Sequence, residues 1–328
     1  MHKRCRCLVG AISCSTEEVK AIRVIDGTPT LVEETESNGD GVRIRIHTSS
    51  ICGSDLHLLG LGIAEGMVLG HEFCGTTPDG TAVAVEPILG CGTCASCRSG
   101  HLPTCESGPT FLGIAVPGGM AESIVVPPEA LVALPTGVPL SAGSLVEPLA
   151  VAHHGLDRAR VGPEDRVLVI GAGPIGLATV AMLRDRGIAC DISARHPHQQ
   201  HAAEALGASL AVDGAYDVVM DCVATTDSLA EAMAHVVARG RVGLVGTLWD
   251  PAALSVTACV KEIELLPAMA YRCRVPERDF SAAATALATS PDIEAALITH
   301  RFPLDGCKEA FETAANRAGG AIKVAFEV

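Results

Sequence analysis

The stretch Arg166–Gly187, RVLVIGAGPIGLATVAMLRDRG, restricts the possible folds more than any other. Four apolar residues, Val167 to Ile170, read as a buried strand, and the glycines that follow at Gly171, Gly173 and Gly176 form G-x-G-x-x-G. Pro174 and Ile175 then open an apolar-periodic helix. The glycine pattern alone is weak, but between a buried strand and a helix it has a physical meaning. The first glycine makes the turn, the second lets a pyrophosphate approach the backbone, and the third lets helix and strand pack closely. A pyrophosphate placed there rests on the positive end of the helix. Downstream, strand-like YDVVMDCV and GRVGLVG alternate with helix-like AAEALGA and DSLAEAMAHVVARG, as a doubly wound parallel sheet requires. The chain is therefore expected to be α/β.

Ahead of this unit lies Cys91, Cys94, Cys97 and Cys105, spaced C-x2-C-x2-C-x7-C. Four thiolates close a tetrahedral shell and leave no position for water, so the expected role is a structural zinc that stabilises an otherwise loop-rich lobe. A nucleic-acid-binding zinc ribbon has two separated CxxC pairs in a basic surround, which this segment lacks. The protein carries 14 cysteines, but a chain of 328 residues does not need a disulfide framework for stability.

A second donor group is spread over ICGSDLHLLGLGIAEGMVLGHE, Ile51–Glu72. Cys52 offers a thiolate, His71 an imidazole nitrogen and Glu72 an oxygen, a mixed set that suits zinc with one position open for substrate. A substrate held on such an ion that must shed a proton needs, in a buried site, a relay to carry that proton to water. Ser54 followed by His57 supplies a hydroxyl and an imidazole for it. Upstream, Val19 to His47 alternates between β-branched and polar residues around DG and NGDG turn signals, and reads as antiparallel β structure.

CGSDLH followed by GHE resembles the catalytic-zinc segment of the zinc-dependent medium-chain alcohol and polyol dehydrogenases, and the match runs from about Val19 to Val328. The resemblance implies a β-rich GroES-like catalytic domain formed by residues 19–147 and 271–328, and a Rossmann domain at 148–270. Residues 1–18 then stand as a flexible extension. It further implies that Ser54 passes the proton through the nicotinamide ribose to His57, and that Asp55 orients a zinc ligand. Lys323 matches a basic position beside the cofactor pyrophosphate. Glu147, in an EPLA segment typical of the polyol, threonine and glucose branches, competes with Glu72 for the remaining contact to the catalytic zinc. His153 and His154 sit in a helical context and read as packing residues. Pocket shape is expected to depend on the loop after Cys52, on Met120 and on Trp249.

The same comparison bears on the cofactor. An acidic residue about 20 positions past the glycine turn receives the adenosine ribose, and an arginine there accommodates a 2′-phosphate. In IACDISARHPH, counting with a family-like helix length puts Arg195 or Ala194 at that place, with His196 adjacent, while Asp191 lies early in the strand. NADP(H) is expected in preference to NAD(H), with two zinc ions per chain.

Net charge is −14, which disfavours a phosphate backbone or an anionic membrane surface as partner. No apolar run is long enough to cross a bilayer, and the N-terminus lacks an apolar core before a cleavage site. A cytoplasmic enzyme is the default, and the resemblance implies a homodimer or homotetramer acting on a small alcohol, polyol or sugar. The alternatives are an NAD-dependent polyol or threonine-type dehydrogenase, and a non-catalytic zinc- and nucleotide-binding relative.

Overall fold

A computed structural model describes residues 18–35, 40–273 and 278–328. The expected extension lies outside these residues, apart from Glu18, which begins the first strand. The hairpin β1 (Glu18–Ile25) and β2 (Thr28–Thr35) turns at Asp26 and Gly27, whose φ values of 49° and 70° are those of a type I′ turn. That turn matches the right-handed twist of its strands and explains the DG pair.

β3 (Val42–Ser50) leads into α1 (Gly53–Gly60), and β4 (Glu72–Thr76) and β5 (Ala82–Val85) return antiparallel. The short pair β6 (Ile88–Leu89) and β7 (Thr110–Phe111) brackets the cysteine lobe with its single turn α2 (Ala95–Arg98). β8 (Ser123–Val126) and β9 (Leu131–Ala133) follow, and α3 (Val146–Arg158) leaves the sheet.

The second layer runs β10 (Val167–Ile170), α4 (Pro174–Asp185), β11 (Cys190–Ser193), α5 (Pro197–Ala205), β12 (Tyr216–Asp221), α6 (Thr226–His235), β13 (Val236–Leu244), α7 (Val256–Val260) and β14 (Glu264–Pro267). The strands pair in parallel in the order β11-β10-β12-β13-β14, so the strand order reverses beside β10. Ligands bind such sheets in the crevice at that reversal, beyond the carboxyl ends of the strands. DSLAEAMAHVVARG was expected to be wholly helical. Instead the helix stops at His235 and Val236 joins β13, where β-branched residues pair with Tyr216 of β12.

The last segment departs from the expected boundary. Before rejoining the first sheet, the chain lays α8 (Asp279–Thr289) and α9 (Asp292–Leu297) against α3 and α4, in the apolar core beneath the parallel sheet. Phe280, Ala283, Leu287, Ile293 and Leu297 are buried there, which draws both helices away from the first lobe. Only β15 (Ile298–Pro303) and β16 (Lys323–Glu327), joined by α10 (Cys307–Ala315), return to the first sheet, whose order is β15-β16-β3-β4-β5-β9 with β8 also on β3.

The histidines on α3 help to hold this arrangement. The carboxylate of Asp279, 1% exposed, lies 3.1 Å from His153 Nδ1 and 3.2 Å from His154 Nδ1, and accepts the Arg272 N–H at 2.6 Å. Burial works against its charge, but the bonds from His153 and His154 outweigh burial and hold the carboxyl below its ordinary range. A carboxyl depressed in this way contributes stability that is complete above its unfolded value of about 3.9 and is lost as pH falls below it. Asp279→Asn should therefore cost about 2–3 kcal/mol at neutral pH, with the deficit narrowing in acid. Denaturant midpoints at pH 7 and at the acid limit of folding check this, and equal midpoints at pH 7 would exclude it.

Candidate active site and metal centres

Strand register assembles the site. Ser50 of β3 faces Glu72 of β4 on one side and Ala325 of β16 on the other, so the ends of three adjacent strands emerge together. Ile51 continues this pairing through its N–H to Val324 O at 2.9 Å, and Cys52 then caps the N-terminus of α1. Cys52, Glu72 and Lys323 are thereby collected at one edge of the sheet, with His71 immediately before β4.

The donor atoms of Cys52, His71 and Glu72 lie within 4.8 Å of one another. Asp55 is buried; its Oδ2 accepts the Cys52 N–H at 2.9 Å, and its Oδ1 lies 3.5 Å from His71 Nδ1. Asp55 thus faces one imidazole nitrogen, and His71 Nε2 is turned to the Ser54 hydroxyl at 3.1 Å. His57 points elsewhere. It is exposed, its Nδ1 bonds Gly53 O at 2.8 Å, and no bond joins it to Ser54 among the described residues.

Lys323 corrects the sequence reading. Instead of presenting a free cation to a pyrophosphate it is 1% exposed, and its Nζ donates to both Glu72 oxygens at 2.7 Å and to Ile51 O at 3.3 Å. Its three protons match these three acceptors. Both oxygens of Glu72 are therefore engaged, whereas no ion pair to Glu147, buried near the start of α3, is formed among the described residues. Burial first, and then the charge of Glu72, raises the Glu147 carboxyl to about 8.

The chemistry of this cluster fits a metal cation. A thiol and three carboxyls, Asp55, Glu72 and Glu147, share one region with a single ammonium, and buried charge of one sign is costly unless a cation balances it. His71 Nδ1 and Asp55 Oδ1 also lack a well-formed hydrogen bond despite burial. Soft sulfur, borderline nitrogen and hard oxygen together favour zinc.

The four-cysteine lobe fits zinc still more closely. Cys91 and Cys97 sulfurs are 3.9 Å apart and those of Cys94 and Cys105 4.0 Å apart. A zinc tetrahedron with bonds of about 2.3 Å has edges of about 3.8 Å, while a disulfide would bring two sulfurs to about 2.05 Å. N–H groups of Cys94, Cys97 and Cys91 point at the sulfurs of Cys91, Cys94 and Cys105, each at 3.4 Å. The Thr93 hydroxyl, with backbone N–H groups, pulls the Cys91 thiol down to about 5. His153, Asp157 and Asp279 form a third compact group, but Asp157 is already paired with Arg186 at 2.8 Å, and the group reads as a hydrogen-bonded brace.

In the parallel layer, Gly176 packs so tightly that a Cβ there would lie 1.7 Å from Gly171 O, whereas nothing stands within 4 Å of a Cβ built on Gly173. The cradle above Gly173, at the cap of α4, is therefore open, with Pro174 in the first turn beside Ile175. Ala194, Arg195 and His196 follow β11, and Arg195 is exposed. Asp191 is engaged elsewhere, accepting the Tyr216 hydroxyl at 2.8 Å with Arg166 3.6 Å away.

Sequence reasoning did not foresee two placements. Arg317 brings its guanidinium to 3.5 Å from where a Cβ on Gly53 would sit, next to Cys52. Trp249 stacks on His57, with ring centroids 4.7 Å apart. Neither carries a local signal, because each contact joins segments far apart in the chain. Met120, expected to shape the pocket, is instead fully buried in the core of the first lobe.

Residues 38–136 match the alcohol dehydrogenase GroES-like domain, and residues 140–328 the glucose dehydrogenase C-terminus. The chain is 32% identical to an L-idonate 5-dehydrogenase of Vitis vinifera over 88% of each sequence. It is also 32% identical to a sorbitol dehydrogenase of Arabidopsis thaliana, again over 88% of each. Among solved structures, L-idonate 5-dehydrogenase of Escherichia coli superposes with a TM-score of 0.81 at 26% identity, over 95% of this chain and 99% of that one. Among the described residues, no helix is long and apolar enough to cross a membrane.

Proposed function

Because the chain belongs to the zinc-dependent medium-chain alcohol and polyol dehydrogenase family, we propose that it moves a hydride between NADP(H) and a secondary hydroxyl of a polyol or sugar acid. The observation that carries this reading is the Cys52, His71 and Glu72 donor set opening on the Ser54 hydroxyl. The relatives named for L-idonate and sorbitol support the substrate class.

When bound, zinc polarises the substrate oxygen and the nicotinamide takes up the hydride. Cys52 and His71 hold the ion, and Asp55 orients His71 through Nδ1. Glu72 and Glu147 are the carboxylates that would complete the set, and Lys323 holds both Glu72 oxygens in place. Ser54 receives the hydroxyl proton, and His57 returns it to water. Cys91, Cys94, Cys97 and Cys105 hold a second, structural zinc. Gly171, Gly173, Pro174, Ile175 and Gly176 seat the dinucleotide. Val256 and Val260 of α7 and Met269 just after the end strand β14 are exposed apolar side chains, and they support assembly as a homodimer or homotetramer.

The test is reduced-cofactor absorbance with D-sorbitol and L-idonate, and with their ketones in the reverse direction, using each cofactor, together with zinc analysis. Absence of turnover throughout, with less than one zinc per chain, would overturn the reading. Cofactor choice has its own test. The exposed Arg195 supplies a planar fork for a 2′-phosphate, and Asp191 is occupied by Tyr216, so Arg195→Ala should lower kcat/KM for NADP(H) about ten-fold and leave NAD(H) nearly unchanged. Equal loss with both cofactors would remove Arg195 from phosphate recognition.

A further inference from the structure

Trp249 is the only tryptophan of the chain, and it is 40% exposed. It stands in the segment after β13, whose root is tied down where the Val245 and Gly246 N–H groups donate to Asp221 O at 3.0 and 3.1 Å. A Cβ on Gly246 would lie within 3.0 Å of Val223 and Ala224, so this root also packs closely against the end of β12. From there the indole reaches across to the first lobe and lies on the His57 ring, 4.7 Å between centroids and 5° between planes.

His57 is constrained in two independent ways. Gly53 O can only accept, so the 2.8 Å contact puts the proton of the neutral ring on Nδ1 and leaves the Nε2 lone pair as the outward acceptor. That bond selects the nitrogen but still lets an exposed ring pivot about it. The indole face removes this freedom by fixing the ring plane. A proton acceptor gives its full effect only when its lone pair is held in line with the donor.

We propose that Trp249 is a positioning residue for His57, holding the imidazole face-on so that Nε2 is presented as the outer acceptor of the proton path. This inference rests on the relay role given to His57 above. The stack also ties the parallel-sheet lobe to α1, so the acceptor is in place only when the two lobes are together.

Long-range 1H–15N correlation of the histidine side chains, on the full-length zinc-loaded protein, reads the tautomer of His57 without any substrate. His57→Gln assigns its signal. The wild type should show a single Nδ1–H tautomer with ring protons shifted upfield by the indole. Trp249→Ala should keep the Nδ1–H tautomer that Gly53 O selects but raise the mobility of the His57 ring in side-chain 15N relaxation, and Trp249→Phe should keep the wild-type ring mobility. Unchanged His57 ring mobility in Trp249→Ala overturns the proposal, as would mobility raised equally in Trp249→Phe. Turnover supplies the second arm. Trp249→Ala should lower kcat about ten-fold with KM nearly constant, and have no further effect in a His57→Gln background. Full additivity of the two changes overturns the proposal. If His57→Gln alone turns over at the wild-type rate, the relay reading fails, and the ring mobility still decides whether Trp249 orients the ring.

Discussion

Cys52→Ser should lower kcat about a thousand-fold while leaving the folded structure in place. Cys52 is the only sulfur in the donor set with His71 and Glu72, and a serine hydroxyl is a poor ligand near neutral pH because it stays protonated. Cys52 occupies the N-cap position of an eight-residue helix at the edge of the sheet, and serine is itself favoured at that position, so the fold has little reason to suffer. Zinc analysis should show one ion lost and the other retained. Cys94→Ser should do the reverse kind of damage. Its thiol belongs to a lobe with little apolar core of its own, so the lobe should loosen, with loss of the structural ion and of thermal stability. Cys52→Ser with both ions and wild-type turnover would refute the assignment of the catalytic metal.

Lys323→Met should destabilise the protein by about 3–5 kcal/mol, because it leaves the fully buried Glu72 carboxylate without its cation. Burial by itself pulls the Lys323 ammonium down, but Glu72 and Cys52 outweigh it and hold its pKa above the ordinary lysine value. The ammonium is therefore retained across the working pH range. A charge-neutral double change, Glu72→Gln with Lys323→Met, should recover much of the loss, since neither partner then leaves a bare charge behind. Turnover should also fall in Lys323→Met, because Glu72 stands beside the Cys52 and His71 donors and its carboxylate is then no longer held in place. Equilibrium denaturation of the zinc-loaded variants measures the first effect. A single variant within 0.5 kcal/mol of wild type would show that the bidentate contact carries no weight.

The features legible from sequence are those whose meaning is local. The strand–glycine–helix unit at Val167 to Gly176 sets backbone geometry within one turn, and the spacing of Cys91, Cys94, Cys97 and Cys105 brings four sulfurs together within a single lobe. The DG turn at Asp26 and Gly27 is of the same kind. In two places tertiary packing outweighed local pattern. α6 gives way to β13 at Val236, where Tyr216 offers a strand partner, and α8 and α9 bury their apolar faces on α3 and α4 before the chain returns to the first sheet.

The site follows the same division. Cys52, Ser54, Asp55 and His57 could be read together because they share one helical turn or its cap. What Lys323 does could not be read, because its partner Glu72 is 251 positions away and the two meet only through the register of β16, β3 and β4. The contact between Trp249 and His57 depends in the same way on how the two lobes sit against each other. Sequence by itself determined which donors the chain owns and the short-range geometry of each motif. Tertiary structure alone decided which charges face one another, because pairing across strands and lobes depends on burial and register, and neither is encoded in the spacing of any one segment.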